Sequence, residues 1–147
     1  TFEAVAYLRR CGADVLRIRK MFRTDINEYR VRAEAIAGME VFLNSYAITT
    51  CQAETCPSPT IVAAKVADDL LDIDGIKASF VLTAFNGKIY ISARSIDELN
   101  VQLVMEKLGG GGHISSAGAQ LADCSIEDAA VKLKHELITM KREGDIE

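Results

Sequence analysis

The sequence contains no tryptophan, two prolines and two histidines among its 147 residues, and aromatic residues make up 6% of it. No apolar run is long enough to cross a bilayer. Basic residues do not exceed acidic ones, because 17 lysines and arginines against 21 aspartates and glutamates give a net charge of −4. No overall positive field therefore draws the protein to nucleic acid or to an anionic membrane, and any polyanion must be held by a local site.

Motifs for hydrolytic chemistry are also missing. A metal centre needs three or more converging His, Asp or Glu ligands, and the nearest approach to such a cluster is Asp68-Asp69 with Asp72 and Asp74. These aspartates are typical of polar residues near a helix end. No serine or cysteine has an identifiable base partner either. The sequence thus assigns no catalytic residue and no metal ligand to this chain.

The four cysteines, Cys11, Cys51, Cys56 and Cys124, are scattered and do not form the pattern of a small disulfide framework. We predict that they are reduced structural thiols. The first residues also lack the hydrophobic stretch and cleavage site of a signal peptide, which predicts a cytosolic domain.

Hydrophobic residues make up 49% and charged residues 26% of the sequence, which is typical of one globular domain with a substantial core. Thr1 is not an initiator methionine, and the residues after it already show helical spacing. We therefore expect a piece of a longer protein.

The pattern of apolar residues and turn signals predicts an α/β fold, a mixed β-sheet of about four to five strands with one hairpin, covered by helices. The hairpin turn is Asn86-Gly87, between KASFVLTAF and KIYISAR. The other predicted strands are about Val41 to Thr50 and the stretch SAGAQLAD. Helices are predicted before Cys11-Gly12, in VLRIRKMF, from Asp25 to Gly38, from Pro59 to Leu71 behind a Ser58 cap, from the capping-box spacing of Ser95 and Glu98 to Leu108, and from Ser125 to Met140.

Four consecutive glycines, Gly109 to Gly112, precede His113 in LGGGGHISSAG. One glycine can end a helix and another can form a turn, with the rest as a connector. Four ordered glycines cost about 0.5–1 kcal/mol each relative to alanine, which favours a second interpretation. In that interpretation the backbone approaches a ligand, and peptide N–H groups bind an anion such as phosphate. We then expect at least one positive φ in the run and N–H groups that face an open cleft.

Arg94 ends the second hairpin strand, immediately before the helix that leads to the glycines. A solvated charge is the simpler interpretation. Its planar guanidinium can also pair with two oxygens of one phosphate, and His113 can donate to the same group. Since the helix between them carries the chain away, the glycines must turn it back toward the sheet. We therefore predict that Arg94 and His113 lie at one rim of a cleft, with Ser95, Asn100 and Gln102 as nearby hydrogen-bonding groups.

The stretch ISARSIDELNVQLVMEKLGGGGHISSAGAQL resembles the Arg-Ser, Asn-x-Gln and GGGH signature of the DHH-associated domain in DHH-family phosphoesterases. The four glycines after MEKL and the preceding RSIDELNVQ are most similar to the membrane-tethered cyclic-di-AMP phosphodiesterases. This resemblance implies a substrate-binding lobe that grips nucleotide phosphate. The implied substrate-binding set is Arg94, Ser95, Asn100, Gly110, Gly111, Gly112 and His113.

The resemblance also implies an enzyme in two lobes. Residues 1–24 would be linker helices between the lobes, and residues 25–147 the substrate-binding domain. The implied partners are a cyclic dinucleotide or short oligonucleotide and an Asp-His-His lobe of the same chain. That lobe would carry the manganese cofactor and the hydrolysis, so this chain alone is expected to hold no cofactor and to be inactive. The domain would not contact the membrane but lie at its cytoplasmic face, anchored by an N-terminal region.

A different class of function stays open at this point. Related domains occur in alanyl-tRNA synthetases and in single-strand exonucleases, so the chain is alternatively a nucleic-acid-binding module. The acidic charge balance counts against a long nucleic-acid footprint, which needs several phosphate contacts and a basic stripe. The salt dependence of binding separates the two hypotheses.

Overall fold

The computed structural model describes residues 2–96 and 99–144 of the chain. Three helices come first along the chain, and three pairs of strands then each precede a helix. The helices are α1 (Phe2–Arg10), α2 (Val15–Met21), α3 (Ile26–Ala37), α4 (Pro59–Leu71), α5 (Val101–Lys107) and α6 (Ile126–Glu143). The strands are β1 (Glu40–Phe42), β2 (Tyr46–Thr50), β3 (Ala78–Phe85), β4 (Lys88–Ser95), β5 (Gly111–His113) and β6 (Ser116–Ala122).

The strands form one mixed sheet in the order β1-β2-β3-β4-β6-β5. Strands β2 and β3 are parallel, because α4 carries the chain across the sheet between them. The other neighbours are antiparallel. The predicted fold class is confirmed, with six strands among the described residues where about four to five are expected. The two outermost strands, β1 and β5, have three residues each.

Helices cover both faces of the sheet and bury two separate cores. On one face α4 packs on β3 and β4, with α3 against α4 and β2. Val62, Val66 and Leu70 recur at helical spacing along α4 and point into this core. On the other face α5 and α6 enclose a second core around Phe80 and Leu133. The sheet extends past α4 through β6 to β5. Residues of this extension line the candidate site described below.

Most predicted helix ends are confirmed. The Asp25 side chain accepts a hydrogen bond from the Asn27 N–H at 2.8 Å and caps α3. Ser125 forms a full capping box with Asp128 at the start of α6. Ser58 precedes α4 as predicted, but its side chain makes no capping hydrogen bond. The bounds of α4 match the prediction, since Pro59 fits the first turn, where its missing N–H costs nothing.

The single strand predicted from Val41 to Thr50 is wrong, because this segment is a hairpin of β1 and β2. Its turn contains Leu43 and Asn44, both at positive φ (49° and 70°). Asparagine tolerates this conformation, but leucine rarely adopts it. The sequence therefore indicates this turn only weakly. The predicted hairpin at Asn86-Gly87 is confirmed, with both residues at positive φ. A third hairpin joins β5 to β6.

Helix α5 begins later than its capping-box spacing predicts. Ser95 belongs to β4, and Asn100 caps the helix by accepting a hydrogen bond from the Gln102 N–H at 3.0 Å. The expected Glu98 contact lies outside the described residues. The backbone N–H of Ser95 donates to the Ser115 carbonyl, and this bond extends β4 as far as Ser95. Pairing within the sheet therefore determines the conformation of Ser95, and the residue does not cap the helix.

Helices α1 and α2 bury no side chain among the described residues. They carry exposed Phe2, Leu16 and Met21, and Phe22 directly after α2 is exposed as well. The boundary at residues 24 and 25 between linker and domain stays a prediction. No helix in the described part of the chain is long and apolar enough to cross a membrane.

The cysteine thiols differ strongly in their surroundings. Cys11 is exposed, whereas Cys51 and Cys56 are buried, and none forms a disulfide. Burial, together with the neighbouring Cys56, raises the pKa of Cys51 from 9.0 to about 11. Because the thiolate is the nucleophile, Cys51 should stay unreactive at neutral pH.

We therefore expect iodoacetamide at pH 8 to alkylate Cys11 quickly and Cys51 only after denaturation, as read by peptide mass spectrometry. The raised pKa also favours the folded state below pH 9, and this contribution should be lost as the pH rises through about 11. Equal alkylation rates for Cys11 and Cys51 in the folded protein would contradict the buried position of Cys51.

Candidate functional site

The first two glycines of the run end helix α5. The Gly110 N–H donates to the Met105 carbonyl at 2.8 Å, and the Gly109 N–H donates to the Glu106 carbonyl at 3.0 Å. Gly109 has a φ of 77°, so the pair forms a Schellman motif. The predicted positive φ is confirmed. The prediction that the N–H groups face an open cleft is wrong for Gly109 and Gly110, because both N–H groups donate to carbonyls in the last turn of α5.

The glycine run also allows the backbone to lie directly against β6. A Cβ on Gly110 would overlap the Gly118 carbonyl oxygen and lie 2.6 Å from the Ala119 Cα. A Cβ on Gly112 would lie 2.5 Å from the Ala117 Cα, and Gly112 has a φ of 152°. Gly111 differs from both, because a Cβ there would meet no atom of the described residues within 4 Å. Packing therefore accounts for Gly110 and Gly112 and leaves Gly111 facing open space.

Arg94, Ser116 and His113 lie side by side on three neighbouring strands. Arg94 of β4 is paired with Ser116 of β6, and Ser116 is paired with His113 of β5. Directly paired residues of antiparallel strands project from the same face. With strands about 4.8 Å apart, Arg94 and His113 are separated by about 10 Å at the backbone, with Ser116 between them. We call these three residues the Arg94 row.

The Arg94 side chain points toward α4 and already has protein partners. Its Nε donates to Asp68 Oδ1 at 2.8 Å, and one Nη donates to the Ala93 carbonyl at 3.0 Å. Asp68 is largely exposed, with 63% of its side chain accessible, whereas Arg94 is 21% accessible. An exposed ion pair of this kind contributes about 1 kcal/mol or less. An anionic ligand can therefore displace Asp68 from the guanidinium at small cost.

Ser95 lies on the opposite face of the sheet from Arg94, because successive residues of a strand alternate. It is buried, and its hydroxyl donates to the Ile114 carbonyl at 3.3 Å. The Val101 N–H, at the start of α5, donates to the same carbonyl at 3.0 Å. These bonds fix the turn that follows His113. In this structure Ser95 supports the turn and Asn100 caps α5, so a direct ligand contact by either stays a prediction.

A cleft of about 490 Å³ lies beside the Arg94 row, where α4 stops covering the sheet. Its floor contains Ser92 of β4 and Gly118 of β6, and Gly111 lies across from Gly118. The complete lining is Thr60, Tyr90, Ile91, Ser92, Gly109, Gly110, Gly111, Gly118, Ala119 and Gln120. This volume is within the range of small-molecule sites.

Sequence reasoning missed Ser116, Ser92, Tyr90 and Gln120. The signal for two of them is present in KIYISARS, where Tyr90, Ser92 and Arg94 alternate with buried Ile89, Ile91 and Ala93. Ser116 and Gln120 are placed by their pairing with β4, which periodicity alone does not reveal. Among the described residues no group of three or more His, Cys, Asp or Glu side chains could hold a metal ion.

The fold and the cleft define an α/β domain with helices on both faces of a mixed sheet and an open, glycine-lined cleft at one edge. Residues 53–140 match the DHHA1 domain family. The chain belongs to this family, as the Arg-Ser and GGGH motifs suggest.

Curated relatives support the assignment over most of the chain. The chain is 41% identical over 134 residues to the cyclic-di-AMP phosphodiesterase PdeA of Listeria monocytogenes. This match covers 90% of this chain and 20% of that protein. It is 36% identical over 137 residues to the cyclic-di-AMP phosphodiesterase GdpP of Bacillus subtilis, covering 92% of this chain and 21% of that protein. The chain thus spans about a fifth of the length of these relatives.

Solved structures show the same fold at low sequence identity. An exopolyphosphatase-related protein from Bacteroides fragilis superposes with a TM-score of 0.83 at 19% identity, over 96% of this chain and 43% of that one. A pGpG-specific phosphodiesterase from Vibrio cholerae superposes with a TM-score of 0.52, also at 19% identity, over 92% of this chain and 48% of that one. At this identity the two structures establish the fold alone.

Proposed function

We propose that this chain is the substrate-binding lobe of a cyclic-di-AMP phosphodiesterase and that it grips a phosphate of the nucleotide at the Arg94 row. The observation that carries the proposal is the alignment of Arg94, Ser116 and His113 on one sheet face beside a glycine-lined cleft. The naming of the relatives PdeA and GdpP as cyclic-di-AMP phosphodiesterases supports this choice of substrate.

The three side chains supply complementary hydrogen-bond donors. The guanidinium of Arg94 is a permanent cation with a planar set of donors, which suits two oxygens of one phosphate. Ser116 offers a hydroxyl between the two outer residues, and the exposed His113 offers a ring N–H. Together they hold and orient the phosphate. Asp68 would be displaced from Arg94 in the process, so binding exchanges a weak ion pair for a stronger one.

The hydrolytic step is assigned in this proposal to another lobe of the protein. The described residues offer no ligand set that fits manganese, so no step is attributed to a metal in this chain. An Asp-His-His lobe would hold the manganese, which activates water when bound. The anchoring of the whole protein to a membrane by an N-terminal region is part of the same proposal.

Binding measured at several salt concentrations tests the proposal against the nucleic-acid alternative. We expect the chain to bind cyclic-di-AMP without hydrolysing it in the presence of manganese. Because the ligand has two phosphates, a plot of the logarithm of its binding constant against the logarithm of the salt concentration should have a slope no steeper than about −1.4. Isothermal titration and chromatography of the recovered nucleotide give both results. A steep slope with an oligonucleotide, and no binding of cyclic-di-AMP, would favour the nucleic-acid-binding module instead.

A further inference from the structure

Two aromatic residues lie at the hairpin end of the sheet, on the same face as the Arg94 row. The rings of Phe85 and Tyr90 are 6.2 Å apart at an angle of 53°. Both residues are only partly buried, and both lie outside the two cores formed by the described residues. Packing in the two cores therefore does not account for this pair.

Tyr90 lines the cleft, and polar side chains lie next to it. Gln120 is paired directly with Tyr90 across β4 and β6, and Thr60 of α4 lines the cleft as well. Tyr90 precedes Arg94 by four residues on the same strand, which places its backbone about 13 Å from that of Arg94. Tyr90 thus gives the cleft an aromatic side chain, and the charged Arg94 row lies beside the cleft.

We propose that Tyr90, supported by Phe85, is the platform on which a nucleobase of the bound nucleotide stacks. The inference rests on the proposed function and adds the part of the substrate that the Arg94 row does not recognise. A nucleotide has a charged phosphate and a flat aromatic base, which correspond to the Arg94 row beside the cleft and to Tyr90 in its lining. Base stacking on an aromatic side chain contributes enough that its loss weakens binding by about tenfold or more.

Gln120 gives the platform a preference for adenine. A glutamine amide has one donor group and one acceptor, which match the N7 acceptor and N6 amino donor of adenine in a bidentate pair. Guanine presents two acceptors at the same edge, which suit arginine or lysine better. Gln120 is exposed at the cleft and faces the same side as Tyr90, so it can reach the edge of a stacked base.

The experiment compares ligands with and without a base. Cyclic-di-AMP, pGpG and inorganic phosphate are titrated into the chain and into the variants Tyr90→Ala, Tyr90→Phe and Gln120→Leu, with chemical-shift changes followed by NMR. Tyr29→Ala, at an exposed tyrosine of α3, is the matched control. We expect Tyr90→Ala to bind cyclic-di-AMP about tenfold more weakly, to bind phosphate unchanged, and to be rescued by Tyr90→Phe. Gln120→Leu should reduce the preference for cyclic-di-AMP over pGpG.

The outcomes separate this inference from the proposed function. If Tyr90→Ala binds cyclic-di-AMP like the unmodified chain, the platform is overturned while the phosphate site stands. A loss of phosphate binding equal to the loss of cyclic-di-AMP binding would show that the ring supports the fold, which also overturns it. An unchanged base preference in Gln120→Leu overturns the proposed role of Gln120 in preferring adenine. If the unmodified chain binds neither cyclic-di-AMP nor phosphate, the proposed function fails, and the platform fails with it.

Discussion

Gly110→Ala and Gly112→Ala should each destabilise the protein severely, because the new methyl group meets backbone atoms of β6. Backbone cannot rotate away as a flexible side chain can, so the strand pair must separate. Overpacking of this kind typically costs about 1–3 kcal/mol, and Gly112 also has a φ that alanine rarely adopts. We expect the melting temperature to fall by about 10 °C, or the variants not to fold, as measured by circular dichroism.

Gly111→Ala is the matched control, since a Cβ at this position lies more than 4 Å from every neighbour that the structure describes. Its melting temperature should stay within about 2 °C of that of the unmodified chain. The methyl group would nevertheless occupy open space at the lining of the cleft, so binding of cyclic-di-AMP should weaken. A Gly110→Ala variant as stable as the unmodified chain would contradict the close backbone approach. Normal binding by Gly111→Ala would show that no ligand approaches this residue.

The division of roles within the glycine run could not be predicted from the sequence. A helix that runs into a glycine predicts the end of α5, and Gly109 confirms this with its left-handed conformation. The close approach of Gly110 and Gly112 depends on the pairing of β5 with β6, which brings two backbones into contact through a turn at Ile114 and Ser115. A three-residue strand made mostly of glycine has no hydrophobic alternation that would reveal it.

The candidate site was predicted in part for a related reason. Arg94 stands out in the sequence because it lies at the end of a predicted strand, and His113 because it follows the glycine run. The structure places both residues on one sheet face. The resemblance places Ser95 in the same binding set as Arg94, although alternation along a strand sends neighbouring side chains to opposite faces. Ser116 was missed because its place between Arg94 and His113 is set by sheet register, which arises only when distant strands pair.

Arg94→Ala and His113→Ala should each reduce kcat/KM for cyclic-di-AMP by about 10- to 150-fold in the protein that includes the hydrolytic lobe. This corresponds to the loss of one charge-assisted hydrogen bond, about 1.5–3 kcal/mol, from substrate or transition-state binding. The melting temperature should change little, because Arg94 pairs with a mostly exposed Asp68 and His113 is exposed.

Asp68→Asn distinguishes a ligand-binding role of Arg94 from a structural one. If Arg94 serves mainly to hold α4 against the sheet, removing the charge of Asp68 should destabilise the protein as much as Arg94→Ala does. If Arg94 binds phosphate, Asp68→Asn should keep or raise the affinity for cyclic-di-AMP, because it frees the guanidinium and removes a nearby negative charge. Thermal melts and steady-state kinetics on the three variants decide the matter. Normal kcat/KM in both Arg94→Ala and His113→Ala, or a loss that only follows melting, would mean that the Arg94 row is not the phosphate site.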